Sequence, residues 1–170
     1  IIEAAKKNGY SFQYASKSLK DNKKLVIELL NCHFGGTILP FISKRLQNDK
    51  KTLIAACNSF GNSLIFLKKT KNKHYNDLKI NKAAVSQYGF SLQYASKKLR
   101  DNPEIVLKAV DQNGYSLKYA SLRLRNDKNF VLKCVKINGY ALLYAGNFLK
   151  KDRKIVLTAI KNYPFALEYV

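Results

Sequence analysis

One spacing constrains this chain more than any composition figure: glycines recur at a nearly fixed interval, and the residues around them recur too. Gly89, Gly114 and Gly139 stand 25 residues apart, and Pro164 takes the same slot one period later. Towards the amino terminus Gly61, Gly36 and Gly9 continue the series at steps of 28, 25 and 27, which places short insertions at 31–34 and 71–79. The segments QYGFSLQYASKKLRDNPEIVLKAV (87–110), QNGYSLKYASLRLRNDKNFVLKCV (112–135) and INGYALLYAGNFLKKDRKIVLTAI (137–160) are copies of one pattern. Such a period marks a repeat architecture, in which each unit is one supersecondary element that cannot bury its apolar face alone.

Each period reads as two short helices. Asn102-Pro103-Glu104 has the marks of a helix start: a side-chain acceptor, a ring suited to the first helical position, and an acid at the positive dipole end. Ile105, Val106, Ala109 and Val110 then form a helical stripe. Asn113-Gly114 is expected to stop that helix with Gly in the left-handed conformation. Ser116 is expected to cap the second helix, whose apolar face is Leu117, Ala120 and Leu124 with Tyr119 beside it. Three residues after each Gly slot stand Phe12, Leu39, Leu64, Leu92, Leu117, Leu142 and Leu167; five after it stand Tyr14, Phe41, Phe66, Tyr94, Tyr119, Tyr144 and Tyr169. The first helix contributes Ala4, Leu29, Ala56, Ala84, Ala109, Cys134 and Ala159, mostly small residues that let helices approach closely.

Helices of about ten residues are marginal alone in water, so the units must stack on one another. The expected fold is all-α: an α-solenoid of short two-helix repeats with a period of about 25 residues, in which residues 1–170 form a single helical-repeat domain of about seven units with incomplete outer ones. An apolar period of 3 to 4 rather than 2 excludes strands. The chain carries no methionine and opens and closes mid-pattern, and so reads as a piece of a longer protein, with room outside it for a leader or a catalytic domain.

The run N-G-Y-S/A-L-x-Y-A-S-x-x-L-R/K-N/D-D/N, followed by I/V-V-L-x-A-V, resembles the helical repeat known as domain of unknown function family 4116. Asn113 to Asn126 and Asn138 to Asp152 carry it best, with Asn8 to Asp21 and Gly89 to Asn102 close behind. Repeats 36–47 and 61–72 depart from it, because Pro40 interrupts the second helix of one and Lys71 replaces the core Leu of the other. The resemblance implies the helical fold and an occurrence in intracellular bacteria, protists and large viruses, and it carries no activity.

The residues offer no catalytic, metal or cofactor site. Asp21, Asp49, Asp101, Asp127 and Asp152 recur at the start of the first helix, where capping accounts for them. Cys57 and Cys134 sit in apolar columns and read as small buried hydrophobes. Cys32-His33 is the one Cys–His neighbour pair, but adjacent side chains do not face each other as a nucleophile and base must. Two ligands make no zinc tetrahedron, and His74 reads as a loop residue. The Tyr column is expected to pack in the core with hydroxyls at the rim, and Tyr10, Phe90, Tyr115, Tyr140 and Phe165 to pack over the turns.

Charge is where function is expected to lie. There are 31 Lys and Arg against 11 Asp and Glu, a net charge of +20. Segments 17–24, 44–51, 68–75, 97–104, 122–129 and 147–154 hold 22 of the 31 basic residues, and all follow the core of the second helix and lead into the next repeat. Stacked repeats would align Lys17, Lys20, Lys44, Arg45, Lys68, Lys69, Lys97, Lys98, Arg100, Arg123, Arg125, Lys150 and Lys151 into a cationic ridge. The bland account is that helix ends favour cations and that Lys fills free surface. The functional account is a docking edge for an acidic partner. With 26 Lys to 5 Arg, it speaks for diffuse attraction rather than bidentate, sequence-specific reading. The first expectation is therefore a non-catalytic protein-interaction or scaffold module whose partner is another protein with an acidic surface. The alternative is a polyanion binder, taking nucleic acid or an anionic phosphoinositide membrane non-specifically. No small-molecule substrate is indicated, and three unpaired cysteines at wide spacing favour a reducing compartment: the cytoplasm, or a host cytosol for a secreted effector.

Overall fold

The long helix of each period forms where the sequence supplies a cap. In the computed structural model, which describes residues 1–32 and 35–170, the Asn102 side chain accepts from the Ile105 amide and opens Pro103–Gln112. Asp127 and Asp152 open Lys128–Ile137 and Arg153–Asn162 in the same way. In the amino-terminal half Asn22, Asp49 and Asp77 serve Lys23–Leu30, Lys50–Ser59 and Leu78–Gln87. Regular structure among the described residues is entirely helical. The chain divides into two compact units, Ile1–Gln87 and Tyr88–Val170.

Beyond the long helix the chain departs from the single second helix expected of it. Gly114–Tyr119 is a 3-10 helix, Ala120 is extended at φ −66° and ψ 160°, and only then does a short α-helix, Leu122–Arg125, begin. The same division appears at Gly89–Tyr94 with Lys97–Arg100, and at Gly139–Tyr144, where the second piece, Leu149–Lys151, is itself a 3-10 turn. In the first unit Gly9–Tyr14 precedes Lys17–Asp21. The interruption has a physical cause one repeat away: the Ser121 amide donates to the Arg100 carbonyl at 2.9 Å, Ser43 to Lys20 at 2.9 Å, and Gly146 to Arg125 at 2.8 Å. An amide committed across repeats is lost to the local helix.

This rearrangement moves the capping role. Ser121, not Ser116, is the cap, accepting from Leu124 at 3.2 Å; Ser16, Ser43 and Ser96 do the same for Leu19, Leu46 and Leu99. Ser116 is fully buried and lies at the close approach to the preceding repeat: a methyl group on Gly89 would stand 2.5 Å from its Oγ. The glycines do not adopt the expected left-handed conformation, since no glycine has positive φ among the described residues. Their need is for space instead, as at Gly139, where a methyl group would meet the Ala159 carbonyl oxygen at 2.6 Å.

The core is the expected Leu and Ala columns. Phe12, Leu64, Leu92, Leu117 and Leu142 are fully buried, as are Ala56, Ala84, Ala109, Cys134 and Ala159. Two expected members are not core: Leu167 is 63% exposed and Ala4 is exposed, because no described repeat covers either flank. Within the second unit the long helices of successive repeats pack side by side, and so do the 3-10 segments. The two divergent repeats behave as their substitutions demand. Ahead of Pro40 the 3-10 segment shrinks to Gly35–Ile38, and the buried Gln47 amide ties the following turn by donating to the Leu39, Pro40 and Ile42 carbonyls. In the 61–72 repeat one helix, Ser63–Lys69, replaces the divided pair, and Lys71 leaves the core at φ 49°.

Candidate interaction surfaces

The acids divide into two structural roles. Asp49, Asp77 and Asp152 cap their helices and also receive a lysine from the preceding repeat: Lys23 at 2.8 Å, Lys50 at 2.6 Å and Lys128 at 2.6 Å. Partial burial pushes the Asp49 carboxyl up, but Lys23 and the Thr52 amide and hydroxyl outweigh it and hold it at about 2. Asp127 caps Phe130. Asp21 and Asp101 do not cap, contrary to expectation, because Asn22 and Asn102 occupy that position. Each instead receives a hydroxyl and a guanidinium from the next repeat. Ser121 Oγ and Arg123 Nε donate to the Asp101 carboxylate, the latter at 3.0 Å, and a terminal Arg123 nitrogen donates to the Asp101 carbonyl at 3.1 Å. Ser43 and Arg45 hold Asp21 in the same manner. The Ser43 and Ser121 hydrogen bonds, then the arginines, keep both carboxyls below their ordinary value.

The basic residues of the expected ridge all lie on the short segments after each 3-10 turn, or on the helix that replaces the pair. In the first unit Lys17 and Lys20 stand on Lys17–Asp21, Lys44 and Arg45 on Lys44–Gln47, and Lys68 and Lys69 on Ser63–Lys69. In the second, Lys97, Lys98 and Arg100 stand on Lys97–Arg100, Arg123 and Arg125 on Leu122–Arg125, and Lys150 and Lys151 on Leu149–Lys151. Several are committed internally. Arg45 and Arg123 clamp acids, Arg125 Nε donates to the Tyr144 carbonyl at 2.7 Å, and Lys20 donates to the Gln13 carbonyl at 2.6 Å. The side chains left on the surface are lysines: Lys17, Lys44, Lys68, Lys69, Lys97, Lys98 and Lys151 are exposed and form no ion pair among the described residues.

Aromatic side chains make a second surface. The column expected in the core lies at its rim: Tyr94, Tyr119, Tyr144 and Tyr169 are half-buried and Tyr14 is 76% exposed. The Leu and Ala columns already fill the interior, so the rings pack on each other. In the second unit Phe90 meets Tyr119 edge-on at 6.1 Å, Tyr115 meets Tyr144 at 6.1 Å and Tyr140 at 4.9 Å, and Tyr140 stacks on Tyr163 at 3.8 Å. The Lys118 ammonium lies 6.0 Å from the Tyr119 ring and 5.9 Å from Tyr144, within cation–π range. A hydrogen bond with Tyr169, then burial, pushes the Tyr115 hydroxyl up to about 12; a hydrogen bond with Tyr140, then burial, raises the Tyr163 hydroxyl above its ordinary value. Neither Lys118 nor Tyr163 stands out in the sequence. Lys118 occupies a slot that varies freely (Gln13, Gln93, Leu143), and Tyr163, like Tyr88, stands where Asn8, Asn113 and Asn138 cap their turns.

Nothing among the described residues gathers three or more metal-ligating side chains. Burial pushes the Cys57 and Cys134 thiols up to about 12, which keeps them protonated and inert. His33 lies outside the described residues; Cys32 is half-exposed and its thiol faces the Glu28 carbonyl. His74 sits in the 71–79 insertion with Nε2 3.1 Å from the Asn48 carbonyl oxygen, tying that loop to the preceding repeat.

Residues 1–34, 77–125 and 127–170 match the family described as Domain of unknown function (DUF4116). The chain belongs to this family. The unmatched stretch, 35–76, contains the two repeats whose Pro40 and Lys71 break the DUF4116 pattern and whose turns differ from the rest. No curated protein and no solved structure matches the chain.

Proposed function

We propose that the chain is a non-catalytic protein-interaction module, an α-solenoid-type scaffold segment whose partner presents an acidic surface. The observation that carries this reading is the tyrosine ladder of the second unit with Lys118 at its edge. Rings already packed against one another lose little freedom on binding, and tyrosine offers apolar area and a hydroxyl together, which is why it is enriched at interfaces. Lys118 adds a charge that selects for acid across the interface. The commitments of the reactive groups support it too: the capping and clamping acids are held by backbone amides and cations, and two thiols are buried and protonated.

The test is quantitative affinity capture with the wild-type chain, Lys118→Glu and Tyr144→Ala, with circular dichroism confirming that each remains helical. A partner with an acidic contact surface whose recovery falls at least tenfold with Lys118→Glu, and falls with Tyr144→Ala, supports the proposal. A partner set unchanged by both variants refutes it. The second reading, attraction of a polyanion, is favoured by one separate observation: the surface cations left after the internal clamps are almost all lysines, suited to diffuse fields rather than bidentate contacts.

A further inference from the structure

The short-segment edge of the second unit carries something the charge alone does not explain. Leu122 is 70% exposed and Phe148 is 63% exposed, and both stand among its seven basic residues. Both slots hold cations in a preceding repeat: Leu122 stands where Lys97 does (with Asn147 in the following repeat), and Phe148 where Lys98 and Arg123 do. Around Leu122 the edge opens into two shallow pockets that share its side chain. One, about 470 Å³, is lined by Lys97, Arg100, Tyr119 and Ser121; the other, about 250 Å³, by Arg125, Asn126 and Asn147. The acids beside the short segments are already engaged: Asp101 by Ser121 and Arg123, Asp127 by the Phe130 amide, and Asp152 by Lys128 and the Ile155 amide. Lys97, Lys98, Lys150 and Lys151 form no ion pair among the described residues.

We propose that this edge docks on an anionic lipid bilayer, with Leu122 and Phe148 entering the interface and the lysines held at the headgroups. Charge complementarity selects the occupant. Lysines near an anionic leaflet each strengthen binding severalfold, without any fixed partner geometry. Exposed aliphatic and aromatic side chains gain by leaving water for the acyl boundary, the pairing of forces that holds peripheral proteins on membranes. Nucleic acid offers the same negative charge but nothing for Leu122 to enter. A specific acidic protein site would call on several arginine forks, and of the three arginines on this edge Arg123 and Arg125 are spent within the unit, which leaves Arg100 alone. The docking edge shares Tyr119 with the tyrosine face, but Lys118 and Tyr144, which test that face, line neither pocket.

Vesicle co-sedimentation of the whole chain tests this, using phosphatidylcholine vesicles and the same vesicles containing phosphatidylserine. Sedimentation with the anionic vesicles alone is expected, reduced at least tenfold by Leu122→Asn with Phe148→Ser and comparably by Lys97→Glu with Lys98→Glu. Circular dichroism establishes that each variant is folded. Duplex RNA serves as the comparison polyanion: its binding should fall with the lysine reversals and ignore the apolar pair. The chain has no tryptophan, so Phe148→Trp installs a single reporter whose emission should shift to the blue on anionic vesicles. No sedimentation with anionic vesicles, sedimentation indifferent to the apolar pair, or bound Phe148→Trp protein with unshifted emission overturns the proposal.

Discussion

Asp49 links one repeat to the one before it, and its removal separates two contributions that the structure superimposes. Its carboxylate accepts from the Thr52 amide and hydroxyl, both at 2.9 Å, and from Lys23 at 2.8 Å. A carboxyl held at about 2 instead of 3.8 corresponds to about 2.4 kcal/mol at face value. The group is partly open to water, and solvent screening reduces that to about 1 kcal/mol. Asn caps as well as Asp does, so Asp49→Asn should remove the ion pair and keep the cap, costing about 1 kcal/mol at pH 7. Asp49→Ala removes both and should cost about 2 kcal/mol. The sign of the pH effect comes from a depressed pKa: the unfolded chain takes up the proton first, so this stability is complete above the unfolded value near 4 and vanishes as pH falls through about 2. Urea unfolding monitored by circular dichroism from pH 7 down to about 2 should therefore show wild type and Asp49→Asn converging in acid while Asp49→Ala stays below both. A gap between wild type and Asp49→Asn that does not change with pH would refute the assignment of the shift to Lys23. Equal losses for the Asn and Ala variants would refute the division into cap and pair.

Other substitutions test the packing logic. Ser116 is fully buried with no partner for its Oγ, and Ala141 fills the same slot one repeat on, so Ser116→Ala should raise stability by about 1 kcal/mol in urea unfolding; a loss would mean the hydroxyl is satisfied. The Gly89 and Gly139 amides donate to Gln112 Oε1 at 2.6 Å and Asn162 Oδ1 at 2.7 Å, whereas the corresponding partner of Gly114 is Ile137, 42% exposed. Ile137→Gln should supply the missing acceptor and add about 0.5–1 kcal/mol, with slowed hydrogen exchange at the Gly114 amide as the specific sign. A thiol reagent should label Cys32 in the folded chain and reach Cys57 and Cys134 only after denaturant is added; labelling of all three at once would contradict their burial.

The period, the columns and the caps could be read because each is a local or strictly periodic signal. Asn102-Pro103-Glu104 announces a helix by itself, and Leu92, Leu117 and Leu142 announce a core by recurring. The divided second helix could not be read. Leu117 and Ala120 are three apart, a spacing that suits a 3-10 turn as well as an α-helix, and the amide that ends the turn, Ser121, is claimed by a carbonyl 21 positions earlier. Local propensity carries no trace of that claim. The clamps did leave one, in the way repeats vary against each other. Where Asp21 and Asp101 stand, the next repeat supplies Ser43 with Arg45 and Ser121 with Arg123; where Asn126 stands, it supplies Gly146 and Phe148. Gly146 is needed there, since a methyl group on it would collide with the Asn126 side chain.

That dependence explains how the charge is distributed. Helices of four to six residues leave most of their backbone groups without partners inside the helix, so their stability must come from side chains nearby or in the adjoining repeat. Serines and asparagines at the caps satisfy the amides, and arginines reach carbonyls in the adjoining repeat: Arg125 takes the one at Tyr144, where the next 3-10 turn ends. A bidentate, always-charged guanidinium suits such fixed tasks, and Arg45, Arg123 and Arg125 perform them. Lysine, a hydrated point charge on a flexible stem, makes single contacts, as Lys20 does to the Gln13 carbonyl and Lys23, Lys50 and Lys128 do to acids. Most of the lysines on the short segments are left at the surface. Some of the basic side chains behind the net charge of +20 are thus committed within the chain before any partner arrives. Arg45, Arg123 and Arg125 join repeats alongside Lys23, Lys50 and Lys128, and the exposed lysines that form no ion pair among the described residues supply the field. A partner selected by that field will be one that asks for charge density and apolar contact, not for a particular constellation of hydrogen bonds. Mutating those exposed lysines should alter affinity and its salt dependence while leaving the helices intact, whereas mutating Arg45, Arg123 or Arg125 should loosen the repeats themselves.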